Sequence, residues 1–270
     1  MKKVNAILAL AIGAFAFACQ VEEGISPITS EVPQDVQNRV LQLGFNPEGM
    51  RSFQDGYLVE GDVYLTEANM ADMSLPKQLT EEHYHTTNLV TGLPRTISVY
   101  MDAGFGTYMQ NSFDEAISRY NALNLDLTFQ RASSAGADID IIAFFEQSNT
   151  LGYSAGFPTA SGDPASPIGL NTRYYSDANQ RGDAITVIAH EIGHAIGFRH
   201  TDYMARRISC GGGPSGGNEG SAGIGAIWIP GTPQSARDVK NADPSWMLAC
   251  SNGTDRNFTS DDVVALTTLY

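Results

Sequence analysis

His190-Glu191-Ile192-Gly193-His194-Ala195-Ile196-Gly197-Phe198-Arg199-His200 is the stretch on which the rest of the chain turns. On a helix, residues four apart lie on one face about one turn from each other, so His190 and His194 can meet a single metal ion. Ile185, Ile188, Ala189, Ile192 and Ile196 fall on the opposite side, and this spacing predicts a helix from about Ala184 to Ile196 with one face in the core. Glu191 stands about 100° round from His190, placed to reach a metal-held water without being a ligand. Gly197 falls where the helix should stop, because glycine accepts φ > 0 without a Cβ penalty. The chain can then turn and bring His200 in from a different direction. Three imidazoles leave a place open on a zinc ion, as a catalytic site requires. The five-residue core of the motif occurs by chance in unrelated helices; Gly197 and His200 at fixed offsets make it specific.

Working outward, Thr96–Tyr100 alternates like a half-buried strand, and Asn111–Leu123 carries Phe113, Ala116, Ile117 and Tyr120 at helical spacing. Ser112 and Glu115 predict a capping box at that helix's start. Leu125–Phe129 alternates again, and Asp138–Phe145 reads as a more apolar strand. Residues 150–180 read as loops with short strands, and Gly211–Gly225 as a loose, glycine-rich stretch. Its Gly211–Gly217 run is no phosphate loop, since it lacks the lysine and the preceding strand; a flexible cleft rim fits it better. Thr259 or Ser260 can cap a last helix ending near Tyr270. The order is strand, helix, strands, helix, loops, helix, an α/β (α+β) arrangement with few helices.

The N-terminus has a separate role. Lys2 and Lys3 precede an apolar run, Ala6–Ala18, that ends at Cys19. This is the pattern of an export signal, residues 1–18, too short to span a membrane comfortably. Cys19 at its end is a candidate for lipidation, with Phe17 an imperfect residue for that motif, and Gln20-Val21-Glu22-Glu23 is a weak surface-export tag. The expectation is an exported protein: an outer-membrane or cell-surface lipoprotein, otherwise periplasmic or secreted, monomeric, and touching membrane only through an anchor at Cys19. Residues 19–93 read as a tether and an N-terminal region that is either a pro-segment or an extension packed on the catalytic part, residues 94–270. Within it Tyr57–Leu65 looks like strand material. A net charge of −14 repels phosphate backbones, which excludes nucleic acid as a partner.

With export, Cys210 and Cys250 form either a disulfide or two free thiols. His83 and His85 are the only other histidines, and offer either a second metal site or a solvated loop.

The long motif resembles that of the metzincin clan of zinc endopeptidases. His190–His194 followed by Gly197-Phe198-Arg199-His200-Thr201-Asp202 is similar to the dual-action HEIGH metallopeptidases, over the chain from about Tyr57 onward. The resemblance implies a metzincin-like catalytic domain: a mixed twisted sheet above the active-site helix, and a loop-rich C-terminal subdomain with a methionine turn below the cleft. Met247, well beyond His200, fits that turn as a packed floor; Met204 follows His200 too closely. Leu248-Ala249-Cys250 come directly after Met247, so a tyrosine that would assist the oxyanion there is absent, unless Tyr203 or another substitutes. Asp202 either orients an imidazole or forms a surface turn. Thr150–Phe157 is a candidate edge strand on which a peptide pairs. The region before residue 94 has no cysteine after Cys19 to block the metal, but an Asp or Glu from it could.

The expected function is zinc-dependent hydrolysis of protein or peptide substrates. His190, His194 and His200 would hold Zn2+, and Glu191 would activate the zinc-bound water and pass its proton to the leaving amine. The alternative is a zinc-bearing surface lipoprotein that binds a protein or glycan without cleaving it, and a third is hydrolysis of a non-peptide bond. Glu191 argues against the second, because a binding module gains nothing from it.

Overall fold

Alternation along the strands sets the core of the computed structural model, which describes residues 32–73, 84–212, 216–220 and 225–270. The leader, Cys19 and His83 lie outside the described residues. Glu31–Tyr270 form one compact unit. The chain runs α1 (Gln34–Gln42), β1 (Arg51–Phe53), β2 (Gly56–Val59), β3 (Val63–Leu65), α2 (Glu67–Asp72), β4 (Tyr84–His85), β5 (Arg95–Met101) and α3 (Thr107–Asn121). It continues with β6 (Leu127–Arg131), β7 (Ile139–Phe144), β8 (Gly152–Ser154), β9 (Ile168–Asn171), β10 (Tyr175–Ser176), β11 (Asn179–Gln180) and α4 (Ala184–Ala195). Short α5 (Arg207–Cys210), β12 (Ile227–Trp228), α6 (Ala236–Asn241) and α7 (Ser260–Leu269) complete it.

Eight strands form one mixed sheet in the order β1-β2-β3-β8-β9-β7-β5-β6. β6, β5, β7 and β9 are parallel to one another, and β8 runs antiparallel to β9. Ile97, Val99 and Met101 on β5, Leu127 and Phe129 on β6, and Ile139 and Ile141 on β7 share one buried cluster with α3 and α4. Their polar neighbours Thr96 and Thr128 face outward and meet through their hydroxyls at 3.0 Å. This period-two pattern is why these segments are strands and why α3 and α4 pack on that face.

Tyr57–Leu65 supplies two strands in a hairpin: β2 and β3 pair from Val59↔Val63 around Glu60-Gly61-Asp62. Glu60 and Gly61 have φ of 55° and 99°, and the chain reverses there. The helix expected from Asn111 starts at Thr107, and Ser112 is inside it, donating to the Tyr108 carbonyl rather than capping. The earlier start buries Met109, and the Asp177 carboxylate accepts from the Tyr108 amide at the helix entrance. At the C-terminal end, Thr259 caps α7 in a capping box with Asp262.

The first hairpin extends the catalytic sheet. β3 pairs in parallel with β8 at Val63↔Ser154, on the edge of β8 away from β9. A second core joins it to α1 and α2 through Val36, Val40, Phe45, Val59, Val63, Leu65 and Met70, with Phe157 stacked on Phe45.

Candidate metal centre

Helix α4 is apolar almost all round, and all its residues but Ile185 are buried, its two histidines among them. At its start the buried Asp183 accepts from Arg181 Nε at 2.8 and 2.9 Å and from the Tyr175 hydroxyl at 3.1 Å. At its end Gly197 takes φ 113°, and a Cβ there would stand 2.8 Å from Leu89 Cδ2 and 3.0 Å from the Asn88 carbonyl. The Phe198 amide then donates back to the Gly193 carbonyl at 2.9 Å, and the Arg199 amide to that of Tyr84 at 2.9 Å. Reversed in this way, the chain brings His200 beside the helix, with ring centres 5.2 Å from His190 and 4.7 Å from His194.

Each imidazole is fixed through Nδ1, leaving Nε2 for a metal. His190 Nδ1 donates to the Trp246 carbonyl at 2.9 Å and His194 Nδ1 to that of Phe198 at 2.7 Å. His200 Nδ1 meets Glu219 Oε1 at 2.5 Å. A fourth group enters the cluster from the first hairpin, for one potential ligand atom from each of Asp62, His190, His194 and His200 lies within 4.8 Å of the others. Asp62 Oδ2 is 3.0 Å from His200 Nε2 and 3.7 Å from His190 Nε2.

Zn2+ fits this donor set. Three neutral imidazoles and a carboxylate are ordinary zinc ligands. The Nε2 atoms of His194 and His200 face each other at 3.1 Å, and Asp62 Oδ1 is buried without a hydrogen-bond partner. Burial lowers the His190 pKa; burial and the two neighbouring imidazoles push His194 well below its ordinary range. Burial opposes a charge on His200 too, but the Asp62 and Glu219 carboxylates outweigh it and raise its pKa.

Glu191 is buried beside this cluster, and its Oε2 has no hydrogen-bond partner. Burial, then the Asp62 carboxylate, raise its pKa well above the ordinary carboxylate range. Glu191, His190 and Asp62 line a cavity of about 520 Å³, together with Leu248–Ser251. Met247 lies under α4, and a Cβ on Gly193 would come within 2.5 Å of its Sδ. The glycine at the centre of the motif makes room for that floor. Trp246 ties the floor to the helix, its indole N–H donating to the Ala189 carbonyl at 3.3 Å while its own carbonyl anchors His190.

Other candidates fall elsewhere. Asp202 is buried and touches no imidazole; it accepts from the Ser209 amide at 3.1 Å and the Ala249 amide at 3.0 Å, joining the segment after His200 to the methionine turn. Cys210 and Cys250 are joined by a disulfide across the same seam. Tyr203 packs on Tyr84. His85 pairs with Ile227 on β12 and with Phe198, outside the cluster. Sequence reasoning named neither Asp62 nor Glu219, nor the buried pair in which Arg199 Nη2 reaches both Glu60 oxygens at 2.9 and 3.1 Å. The one available signal was Glu60-Gly61-Asp62 itself, a turn with two acids inside an apolar run.

No curated protein sequence matches the chain. Among solved structures it resembles one described as the structure of Myroilysin, at 17% identity and a TM-score of 0.30. That likeness covers 42% of this chain and 45% of the other, less than half its length. The sequence profile of the dual-action HEIGH metallo-peptidases matches residues 57–270, which takes in the hairpin of Asp62, all three histidines, Glu191 and Met247. With that match over most of its length, the chain belongs to the dual-action HEIGH metallopeptidase family.

Proposed function

We propose that the chain is an endopeptidase in which Glu191 is the general base. A zinc ion on His190, His194 and His200 would supply Lewis acidity, polarising a carbonyl and acidifying a water. Glu191 does the proton work. Its carboxylate, buried and with one oxygen unpartnered beside the imidazoles, takes a proton from the attacking water and returns it to the leaving nitrogen. That oxygen is the observation that carries the reading. The Nδ1 anchors keep the rings from turning, and the cavity beside Glu191 admits a side chain next to the bond being cut. In the test, Glu191→Ala should retain one zinc per chain and lose about 10²–10⁴-fold in kcat on a peptide blocked at both ends. Undiminished turnover in that variant refutes the role.

A second proposal concerns the N-terminal region, residues 19–93: it is a pro-segment and Asp62 is its blocking group. Two observations support this. Asp62 lies among the three imidazoles, where a fourth ligand belongs, and β3 covers the edge of β8 on which a peptide would pair. Asp62→Ala in the full chain should raise peptide cleavage and change the visible absorption of the cobalt-substituted protein, because a ligand is lost. An unchanged spectrum with unchanged cleavage overturns it. Export with lipidation at Cys19 is likewise proposed, on the leader sequence, and the mass of the N-terminal peptide from native membranes tests it.

A further inference from the structure

The chain is acidic, with 16 Lys and Arg against 30 Asp and Glu, yet four arginines line the one cavity that opens beside Glu191: Arg51, Arg181, Arg206 and Arg256. Among the described residues, the only carboxylates on the same wall are Asp62 and Glu191, both already placed at the metal centre. Three of the four arginines have their own counter-ions. Arg51 makes two contacts with Glu146, at 2.6 and 2.7 Å, Arg181 meets Asp183 at 2.8 Å, and Arg206 meets Glu219 at 3.1 Å.

Arg256 differs. It is 8% exposed, and among the described residues no carboxylate lies within 4.0 Å of it. Its guanidinium donates to two main-chain carbonyls, Ser245 at 3.0 Å and Cys250 at 3.3 Å, while its Nε is buried with no partner. Asp183, Asp202 and Asp262 act on it only from farther off, and burial lowers its pKa. Bracing the 245–250 loop therefore accounts for two of its five N–H groups and leaves a charge in low dielectric without a close counter-ion. The guanidinium is also near the chemistry: it grips the carbonyl of Ser245, and the next carbonyl, Trp246, holds His190.

We propose that Arg256 is a specificity-determining residue that receives a carboxylate side chain from one of the two substrate residues flanking the scissile bond, so that the enzyme favours Asp or Glu there. Entry of that side chain gives the buried cation its close partner, and an uncharged isostere of the same size does not. The preference rests on the peptidase reading above. The protein's overall negative field slows the approach of acidic peptides, so the gain lies in how tightly the flanking side chain is held.

The test uses the zinc-loaded full chain carrying Asp62→Ala. Cleavage sites in a mixed peptide digest should show acidic residues enriched at one flanking position. A peptide with Glu there should exceed its Gln counterpart in kcat/KM by about 10- to 100-fold, the range of a hydrogen bond to a charged group. In Arg256→Gln that ratio should fall to near one, and in Arg256→Lys to an intermediate value. A ratio near one in the parent, or one that persists in Arg256→Gln, overturns the proposal. The lysine variant reports on the same ratio if the glutamine variant does not fold. Failure of the peptidase reading looks different, as no cleavage of either peptide. Calorimetric binding of the Glu and Gln peptides to the zinc-loaded Asp62→Ala chain then decides separately: tighter binding of the Glu peptide supports the role of Arg256, and equal binding refutes it.

Discussion

Replacing Cys210 and Cys250 together by serine should cost stability without touching the metal centre. The disulfide closes a loop with a sequence separation of 40. The loop-closure relation for a chain of that length gives about 4 kcal/mol at 25 °C, nearly all of it from constraining the unfolded state. The native side of the comparison should move little. The same seam is already bridged by Asp202, which accepts from the amides of Ser209 and Ala249, and by the Ser209 hydroxyl, which accepts from the Cys250 amide at 3.0 Å. None of the three histidine anchors, on Trp246, Phe198 and Glu219, passes through either cysteine. At about 2–4 °C per kcal/mol for a domain of this size, the melting temperature should fall by about 8–16 °C. The assay is thermal unfolding of both proteins at one fixed free zinc concentration, since bound metal adds its own stabilisation. An unchanged melting temperature would refute the constraint on the unfolded chain. A large loss of zinc content would refute the claim that the hydrogen-bonded seam holds the native geometry alone.

Three further outcomes are expected. Glu219→Gln removes the charged acceptor that fixes His200 and should weaken zinc binding by about 10- to 100-fold in competition with a chelator; equal affinity would mean that Glu219 does not orient the ring. Gly197→Ala puts a side chain at φ 113° within 2.8 Å of Leu89 and should destabilise by about 1–3 kcal/mol in denaturant titration, whereas a neutral result would mean the turn relaxes freely. Burial opposes ionisation of Asp255, but Arg119 and Thr186 hold its pKa below the ordinary value. Its contribution is thus present above about pH 4, the unfolded pKa, and is lost as pH falls toward the folded one. Asp255→Asn should flatten the acid limb of the stability curve, and a limb of unchanged slope would place the acid sensitivity elsewhere.

The clustering of the three histidines was legible because its signal is local. His190 and His194 share a helix face, and Gly197 marks the stop that lets His200 return. Met247 was legible only through family resemblance, and the reason it must be where it is, the missing Cβ of Gly193, depends on two segments meeting in space. Asp62 reaches the site through the parallel pairing of β3 with β8, a contact between residues far apart in sequence that no periodicity encodes. Glu219 sat in a glycine-rich stretch that read as loose loop; nothing in its neighbours announces a buried carboxylate held by Arg206 and His200. The early start of α3 shows a weaker version of the same limit. A plausible capping box at Ser112 lost to the burial of Met109 and to an acceptor on Asp177, which arrives from beyond five strands, β6 to β10.

The pairing of β3 against β8 also bears on the life of the molecule after any event that separates them. While the hairpin is in place, the short strand β8 has a neighbour on both sides and its main-chain groups are shielded. Lifting the hairpin away leaves a sheet ending in an open row of amides and carbonyls, which is equally a template for an extended peptide and for the same edge of another molecule. Were residues 51–65 shed, the protein would have to keep that edge occupied by substrate or stay dilute, because two bare edges can zip together and remove both copies from circulation.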